Sequence, residues 1–117
     1  MAKILVVDDD MINRKLLNVL LKKSGYNVIE AENGMEALNI IKQEQIDMIL
    51  LDIIMPIMDG IDLLKILKND DNYSKIPVAI LTTDDTRKNE ALKLGACAVL
   101  IKPIKEPDLK VLLTNNL

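Results

Sequence analysis

Apolar residues along the chain alternate between short unbroken runs and longer stretches with helical spacing. The clearest run is Met-Ile-Leu-Leu at residues 48–51, which leads into Asp52 and is followed by Pro56. A run this short, ended by a turn signal, is typical of a strand buried on both faces. Residues 3–7 form a second such run and lead into Asp8. Both runs predict central strands of a sheet, each followed by a carboxylate.

The stretches between and beyond these runs predict five helices and three further strands. The predicted helices lie at about residues 11–24, 33–43, 60–68, 85–94 and 107–115, and the further strands at 27–30, 78–82 and 98–101. Gly25, Asn33 with Glu36, and Asp85 occupy cap positions. The residues expected to face the core are Ile12, Leu16, Val19 and Leu20 in the first helix, Met35, Leu38 and Ile41 in the second, and Ile61, Leu64 and Leu67 in the third.

Five strands that alternate with five helices predict an α/β fold in a single domain at residues 1–117. Short apolar strands separated by helices pair in parallel through right-handed crossovers. We therefore expect a flavodoxin-like, doubly wound, five-stranded parallel sheet in the order 2-1-3-4-5, with helices on both faces in three layers.

Composition excludes several function classes. The net charge is −3 without a basic cluster, which argues against direct nucleic-acid binding and against binding to an anionic membrane surface. The chain has no His, so His-dependent triads and His-ligated metal sites are excluded. A single Cys97 cannot form an internal disulfide, and no apolar run is long enough to span a membrane. We expect a cytoplasmic protein.

Chemically active residues lie at the carboxyl ends of four of the predicted strands: Asp8 and Asp9, Asp52, Thr82, and Lys102. In the predicted strand order the three carboxylates converge in one cleft. Two like charges about 4 Å apart repel by roughly 4 kcal/mol at an effective dielectric of 20, so such a cluster shifts its pKa values or binds a cation. Ligands that are all oxygen favour Mg²⁺ or Mn²⁺. Each feature alone is also typical of a helix N-terminus, a strand end or a solvated loop, and only their joint occurrence favours a site.

Four segments together resemble the receiver domain of two-component response regulators, the chemotaxis-regulator type. They are Ile-Leu-Val-Val-Asp-Asp at residues 4–9, Leu-Asp-Ile-Ile-Met-Pro-Ile-Met-Asp-Gly at 51–60, Pro-Val-Ala-Ile-Leu-Thr at 77–82, and Lys-Pro at 102–103. The resemblance covers essentially the whole chain.

The resemblance implies that Asp52 accepts a phosphoryl group from a sensor histidine kinase or a phosphotransfer protein, in a Mg²⁺-dependent reaction that forms an aspartyl phosphate. Asp9 and Asp52 would bind the metal directly, Asp8 largely through water, and Ile54 through its main-chain carbonyl. Such a protein catalyses only its own phosphorylation and dephosphorylation, so we do not expect an enzyme acting on other substrates.

The resemblance also implies that Thr82 and Lys102 hold the phosphoryl oxygens and that the peptide bond between Lys102 and Pro103 is cis. Phosphoryl transfer needs positive charge around these oxygens, which Mg²⁺ and Lys102 would supply. With both close by, we expect Asp52 to be ionised near neutral pH. Phosphorylation would recruit Thr82 and bias the helix and strand that follow it between two arrangements.

Some positions depart from the family pattern. Val99 stands where the family usually has an aromatic residue, Thr83 replaces a small residue, and the interval between Thr82 and Gly95 is about two residues short. The serious alternative is therefore a degenerate receiver that acts as a phosphorylation-independent docking module. A phosphohydrolase fits less well, because such enzymes normally carry a cap domain. A flavodoxin fits less well, because the hydroxyl-rich phosphate loop is missing and Asp8, Asp9 and Asp10 would repel a phosphate.

Two further expectations concern hydrolysis and partners. Ile54 and Asp84 lie where the family controls access of water to the aspartyl phosphate, so an apolar Ile54 should lengthen its lifetime. The surface of helix four, strand five and helix five is expected to bind a downstream protein target or an output domain of the same protein. The protein would be a monomer or a phosphorylation-dependent dimer.

Overall fold

The computed structural model describes residues 1–117 and contains one parallel sheet in the order β2-β1-β3-β4-β5. The strands are β1 (Lys3–Val7), β2 (Asn27–Ala31), β3 (Met48–Leu51), β4 (Val78–Thr82) and β5 (Ala98–Ile101). The helices are α1 (Met11–Lys23), α2 (Gly34–Gln43), α3 (Gly60–Lys68), α4 (Lys88–Lys93) and α5 (Glu106–Asn116), with a 3₁₀ turn at Asp85–Arg87. The predicted fold class and strand order are confirmed. None of the helices combines the length and hydropathy that crossing a bilayer requires.

Two hydrophobic cores lie on opposite faces of the sheet, because successive residues of a strand point to opposite sides. Ile4 and Val6 of β1 pack in a core with leucines of α1 and α5. Leu5 and Val7 pack in the other core with apolar residues of α2, α3 and α4. The central strands β3 and β4 alternate in the same way. The molecule therefore has the three predicted layers, with the sheet in the middle.

Strand register determines which residues meet at the carboxyl edge of the sheet. Val7 of β1 is paired with Leu51 of β3. The next residues, Asp8 and Asp52, consequently leave the sheet side by side, and the Asp52 amide donates to the Val7 carbonyl at 3.0 Å. Register alone thus brings two of the predicted site residues together.

The first helix buries a different face from the predicted one. The exposed fractions are 76% for Ile12, 58% for Leu16 and 64% for Val19, and Leu20 is half-buried. The buried residues of α1 are Arg14, Leu17 and Leu21. Both sets recur at helical spacing, so periodicity alone could not choose between them.

Two smaller predictions are also wrong. Met35 of α2 is 49% exposed, because the buried face of that helix is formed by Gly34, Ala37 and Ile41. The cap before α4 is Asp84 rather than Asp85, since the Asp84 carboxylate accepts a hydrogen bond from the Thr86 amide at 2.9 Å and begins the 3₁₀ turn. The other two predicted caps are confirmed. The Asn33 side chain accepts a hydrogen bond from the Glu36 amide at 2.8 Å at the start of α2, and Gly25, with a φ of 92°, ends α1. The predicted inward residues of α3 are all fully buried.

Candidate functional site

Three carboxylates meet where β1 and β3 end. Asp8, Asp9 and Asp52 each offer an oxygen, and these oxygens lie within 4.8 Å of one another. Asp8 and Asp52 are buried, with 2% and 9% of their surface exposed, whereas Asp9 is open to solvent. Two carboxylates therefore form the floor of a cleft and the third stands at its mouth.

The ammonium of Lys102 joins the two buried carboxylates. Its Nζ lies 2.8 Å from Asp8 Oδ2 and 3.1 Å from Asp52 Oδ2. The Lys102 amide donates to the Thr82 carbonyl at 2.8 Å, which fixes the residue just beyond the β4–β5 ladder. The following bond to Pro103 is cis, as expected. Lys102 thus reaches across β4 to the ends of β1 and β3.

Thr82 and Ile54 border the carboxylate cluster in different ways. Thr82 is completely buried at the end of β4, and its hydroxyl oxygen accepts a hydrogen bond from the Asp84 amide at 3.1 Å. The Ile54 amide donates to Asp52 Oδ1 at 3.4 Å, while the Ile54 side chain is 60% exposed. All the residues predicted for the site consequently lie at the same edge of the sheet.

Burial and neighbouring charges act on the site in opposite directions. Burial raises the pKa of Asp52, and Lys102 lowers it, but the charge of Asp8 adds to the effect of burial and the pKa stays above its usual value. Burial would lower the pKa of Lys102, yet hydrogen bonds and charge from Asp8 and Asp52 outweigh burial and raise it. Lys102 therefore stays protonated, but its single positive charge does not fully offset the burial of Asp52 beside Asp8.

This donor set fits a small divalent cation. The three side chains offer oxygen ligands only, and the cluster carries more negative charge than Lys102 neutralises. Mg²⁺ binds through one or two carboxylates and keeps several waters, so the exposed position of Asp9 and the open mouth suit it.

One buried charge beside the site is not among the residues predicted from the sequence. Arg14 of α1 is only 9% exposed, and its Nη1 donates to the carbonyl oxygen of Asp8 at 2.7 Å. The available signal was its spacing, because Arg14 lies three and seven residues before Leu17 and Leu21 and so shares their inward face.

Comparison with known proteins decides the family. A profile of the response regulator receiver domain matches residues 4–114. The chain belongs to the response regulator receiver family. This receiver is 40% identical over 111 residues to PilH of Pseudomonas aeruginosa, an alignment that covers 93% of this chain and 92% of PilH. As a receiver of a two-component response regulator, it is a signalling module.

Solved structures agree with this assignment. The receiver resembles the chemotaxis protein CheY4 of Vibrio cholerae with a TM-score of 0.93 and 34% identity, covering 100% of this chain and 99% of that one. It also resembles the receiver domain of the sensor histidine kinase PA1611 of Pseudomonas aeruginosa, with a TM-score of 0.89, 26% identity, and coverage of 98% and 96%. The PA1611 domain has a magnesium ion coordinated in its active site cleft.

Proposed function

We propose that this receiver takes a phosphoryl group onto Asp52 from a histidine kinase or a phosphotransfer protein, in a Mg²⁺-dependent reaction. The observation that carries the proposal is the setting of the Asp52 carboxylate. It is buried next to a second carboxylate, and the Lys102 ammonium lies 3.1 Å from one of its oxygens. A carboxylate that is both desolvated and directed at a cation is suited to attack phosphorus rather than to act as a solvated surface charge.

The metal would be held by Asp8, Asp9 and Asp52, together with the main-chain carbonyl of Ile54. The magnesium ion in the PA1611 receiver supports this choice of metal. When bound, Mg²⁺ supplies positive charge next to the transferring phosphoryl oxygens, which are negatively charged in the transition state.

In the transfer step one bond to phosphorus forms and one breaks, so no oxidant, reductant or third substrate is needed. An oxygen of Asp52 forms a bond to phosphorus while the bond between phosphorus and the donor's imidazole nitrogen breaks, and that nitrogen keeps the electron pair. Lys102 stabilises the charge on the phosphoryl oxygens, and the Thr82 hydroxyl can donate to one of them after rotating away from the Asp84 amide, its present partner at 3.1 Å. The loss of that bond would change the start of the 3₁₀ turn and thereby affect α4.

An apolar surface beside the cleft supports a protein as the phosphoryl donor. Leu16, Leu17 and Leu20 of α1, with Pro103 and Ile104, line a groove of about 100 Å³ that also includes Lys102. Because Lys102 contacts Asp52, a protein seated in this groove would bring its phosphohistidine next to the acceptor. Three further exposed apolar residues, Leu92, Ile101 and Val111, lie on α4, β5 and α5, the surface where we expect the downstream target.

The proposal is tested by intact-mass analysis after incubation with acetyl phosphate and Mg²⁺. We expect one added phosphoryl group on the wild type, and none on Asp52→Asn or in the presence of EDTA. Asp59→Asn is the matched control, because it removes a carboxylate of the same loop and keeps a side chain that can cap α3. If the wild type is not modified and binds no Mg²⁺ by titration, the alternative holds. The protein is then a phosphorylation-independent docking module, as the absence of an aromatic residue at Val99 would suggest.

The lifetime of the modified form tests the role proposed for Ile54. Its side chain is 60% exposed next to Asp52, where it can shield the aspartyl phosphate from water. We expect Ile54→Asn to hydrolyse its phosphoryl group several-fold faster than the wild type, measured as the decay of the modified mass after excess donor is removed. An unchanged rate would contradict the shielding role.

A further inference from the structure

One buried charge lies outside the carboxylate cleft. The buried polar or charged side chains are Asp8, Asp52, Thr82 and Arg14, and the first three belong to the proposed site. Arg14 shares the inward face of α1 with Leu17 and Leu21. An apolar side chain at this position would avoid the free energy that burying a guanidinium requires, so the contacts of Arg14 need an explanation other than core stability.

The guanidinium uses two of its donors on specific partners. Nη1 donates to the Asp8 carbonyl at 2.7 Å, and Nε donates to a Glu30 oxygen of β2 at 3.1 Å. The second Glu30 oxygen accepts from Lys15 at 2.9 Å and from Asn18 at 2.7 Å. Although burial tends to raise the pKa of Glu30, these hydrogen bonds lower it overall, so Glu30 remains an anion that anchors Arg14.

These contacts fix the peptide unit between Asp8 and Asp9, the two aspartates that follow β1. The Asp8 amide already donates to the Ala31 carbonyl of β2 at 3.1 Å. The Asp8 carbonyl belongs to the peptide bond that leads to Asp9, and its oxygen is the one that Arg14 holds. A rotation of this peptide unit would change the direction in which the Asp9 carboxylate leaves the chain. Arg14, anchored on Glu30, opposes that rotation.

We infer that Arg14 is a positioning residue for the divalent cation: it holds the peptide between Asp8 and Asp9 so that both carboxylates face Asp52. This inference rests on the proposed metal site. Arginine suits the task because its planar fork can bond a carbonyl and a carboxylate at once. A lysine at position 14 keeps the charge, but its single ammonium cannot hold both partners in this geometry.

The test must separate position from charge. Removing Arg14 alone leaves the negative charge of Glu30 near the site, which would attract Mg²⁺ and mask a loss of geometry. The double variant Arg14→Met/Glu30→Gln removes a cation and an anion together, so the net charge is unchanged. The matched control is Lys3→Met/Glu44→Gln, which removes another ion pair (3.0 Å) at the opposite end of β1.

Mg²⁺ binding is measured by titration calorimetry with the metal alone, at a temperature where circular dichroism shows every variant folded. Partners of metal ligands typically change metal affinity by about 10- to 100-fold when removed, so we expect the Arg14/Glu30 variant to bind Mg²⁺ about tenfold more weakly. The Lys3/Glu44 variant should bind as the wild type does. Arg14→Lys should give an intermediate affinity.

Two results would overturn the inference. One is an unchanged affinity in the Arg14/Glu30 variant. The other is an equal loss in Leu67→Ala, a core variant on α3 that loosens the fold without touching the site. Absence of Mg²⁺ binding in the wild type would instead reject the proposed metal site, and the inference with it, so the two failures are distinguishable.

Discussion

At the scale of single residues, the site is governed by the conflict between burial and charge at Asp52. Asp52 is 9% exposed and lies next to buried Asp8, and the Lys102 ammonium is the cation that contacts both carboxylates. A protein selected for stability alone would not place two anions there. The same arrangement favours the binding of a further cation beside the carboxylates, and a bound cation is what the proposed phosphoryl transfer requires.

The raised pKa of Asp52 predicts how replacing its carboxylate changes the free energy of unfolding as the pH varies. Because the pKa is higher in the folded than in the unfolded state, the contribution of Asp52 to stability is fully present below its unfolded value, about 3.9, and is lost as the pH rises through the folded value. Without Mg²⁺ we therefore expect Asp52→Asn to be more stable than the wild type at pH 7, with a difference that shrinks toward pH 4.

Urea unfolding across this pH range measures that difference. Asp71→Asn, at an exposed loop position, controls for the general loss of a negative charge. A variant at position 52 that is less stable than the wild type at neutral pH would show that Lys102 outweighs burial.

Ile57 adjoins the site and has a strained backbone. Its φ is 71°, which is rare for a β-branched residue, and the Met58 amide donates to the Pro56 carbonyl at 2.7 Å to close a three-residue turn around it. The side chain is 86% exposed, so burial does not compensate. Strain of this kind costs about 1–3 kcal/mol, against roughly 0.5–1 kcal/mol for the extra entropy of an unfolded glycine.

We consequently expect Ile57→Gly to raise the free energy of unfolding by about 1 kcal/mol, and by no more than about 2.5 kcal/mol, as measured by urea denaturation. A decrease of similar size would mean that the turn is not strained.

The site residues differ in how far the sequence could predict them. The convergence of four site residues could be inferred, because each lies at the carboxyl end of a recognisable strand and these ends meet at one edge of a parallel sheet: Asp8, Asp52, Thr82 and Lys102. Arg14 could not be assigned a role in this way, because its partners are a carbonyl of another element and Glu30 on β2, and such contacts exist only after the elements pack.

At the scale of elements, α1 shows why periodicity misled the prediction. Its exposed apolar residues, Ile12, Leu16 and Val19, are at helical spacing and include more β-branched side chains than its buried face. A buried arginine and an exposed apolar stripe reverse the usual pattern, and both lie on the helix next to the cleft. Local rules fail most often where function overrides them, and this helix fits that expectation.

The junction of β3 and α3 is held by a close approach that only glycine allows. A Cβ at Gly60 would fall within 2.8 Å of the Ile53 Cα and closer still to the Asp52 carbonyl oxygen, both of them backbone atoms. At Gly34, which likewise opens a helix, the nearest atom would be the flexible end of Met58 at 2.8 Å. Neither glycine has a positive φ, so the pair isolates the effect of the contact.

We expect Gly60→Ala to lower the free energy of unfolding by at least about 2 kcal/mol, since the backbone of Asp52 and Ile53 must shift. Gly34→Ala should stay within about 1 kcal/mol of the wild type, because Met58 can move. Urea denaturation of both variants makes the comparison, and equal losses would contradict the close-approach explanation.

At the scale of the whole molecule, folding assembles the site from distant segments. Hydrogen bonds of Lys102 connect it to residues 94 and 50 positions away, Asp8 and Asp52. The alternation of strands and helices was sufficient to predict this architecture, because parallel pairing and handed crossovers leave few alternatives. A ligand at the shared edge should therefore stabilise the entire fold.

Magnesium provides the test of that coupling. At a concentration 100-fold above its dissociation constant, a ligand specific for the folded state adds about 2.7 kcal/mol of stability, which for a domain of this size raises Tm by roughly 10 °C. We expect this shift in the wild type and its reversal by EDTA. Asp9→Asn should lose most of it, and an undiminished shift in that variant would place the ion elsewhere.

The most direct measurement locates the phosphoryl group itself. After reaction with acetyl phosphate and Mg²⁺, reduction with borohydride converts a phosphorylated aspartate to homoserine, and peptide sequencing by mass spectrometry identifies its position. The proposed function requires homoserine at position 52 and unchanged aspartates at Asp8, Asp9 and Asp59. Homoserine at one of those other positions, or at none, would contradict Asp52 as the phosphoacceptor of this receiver.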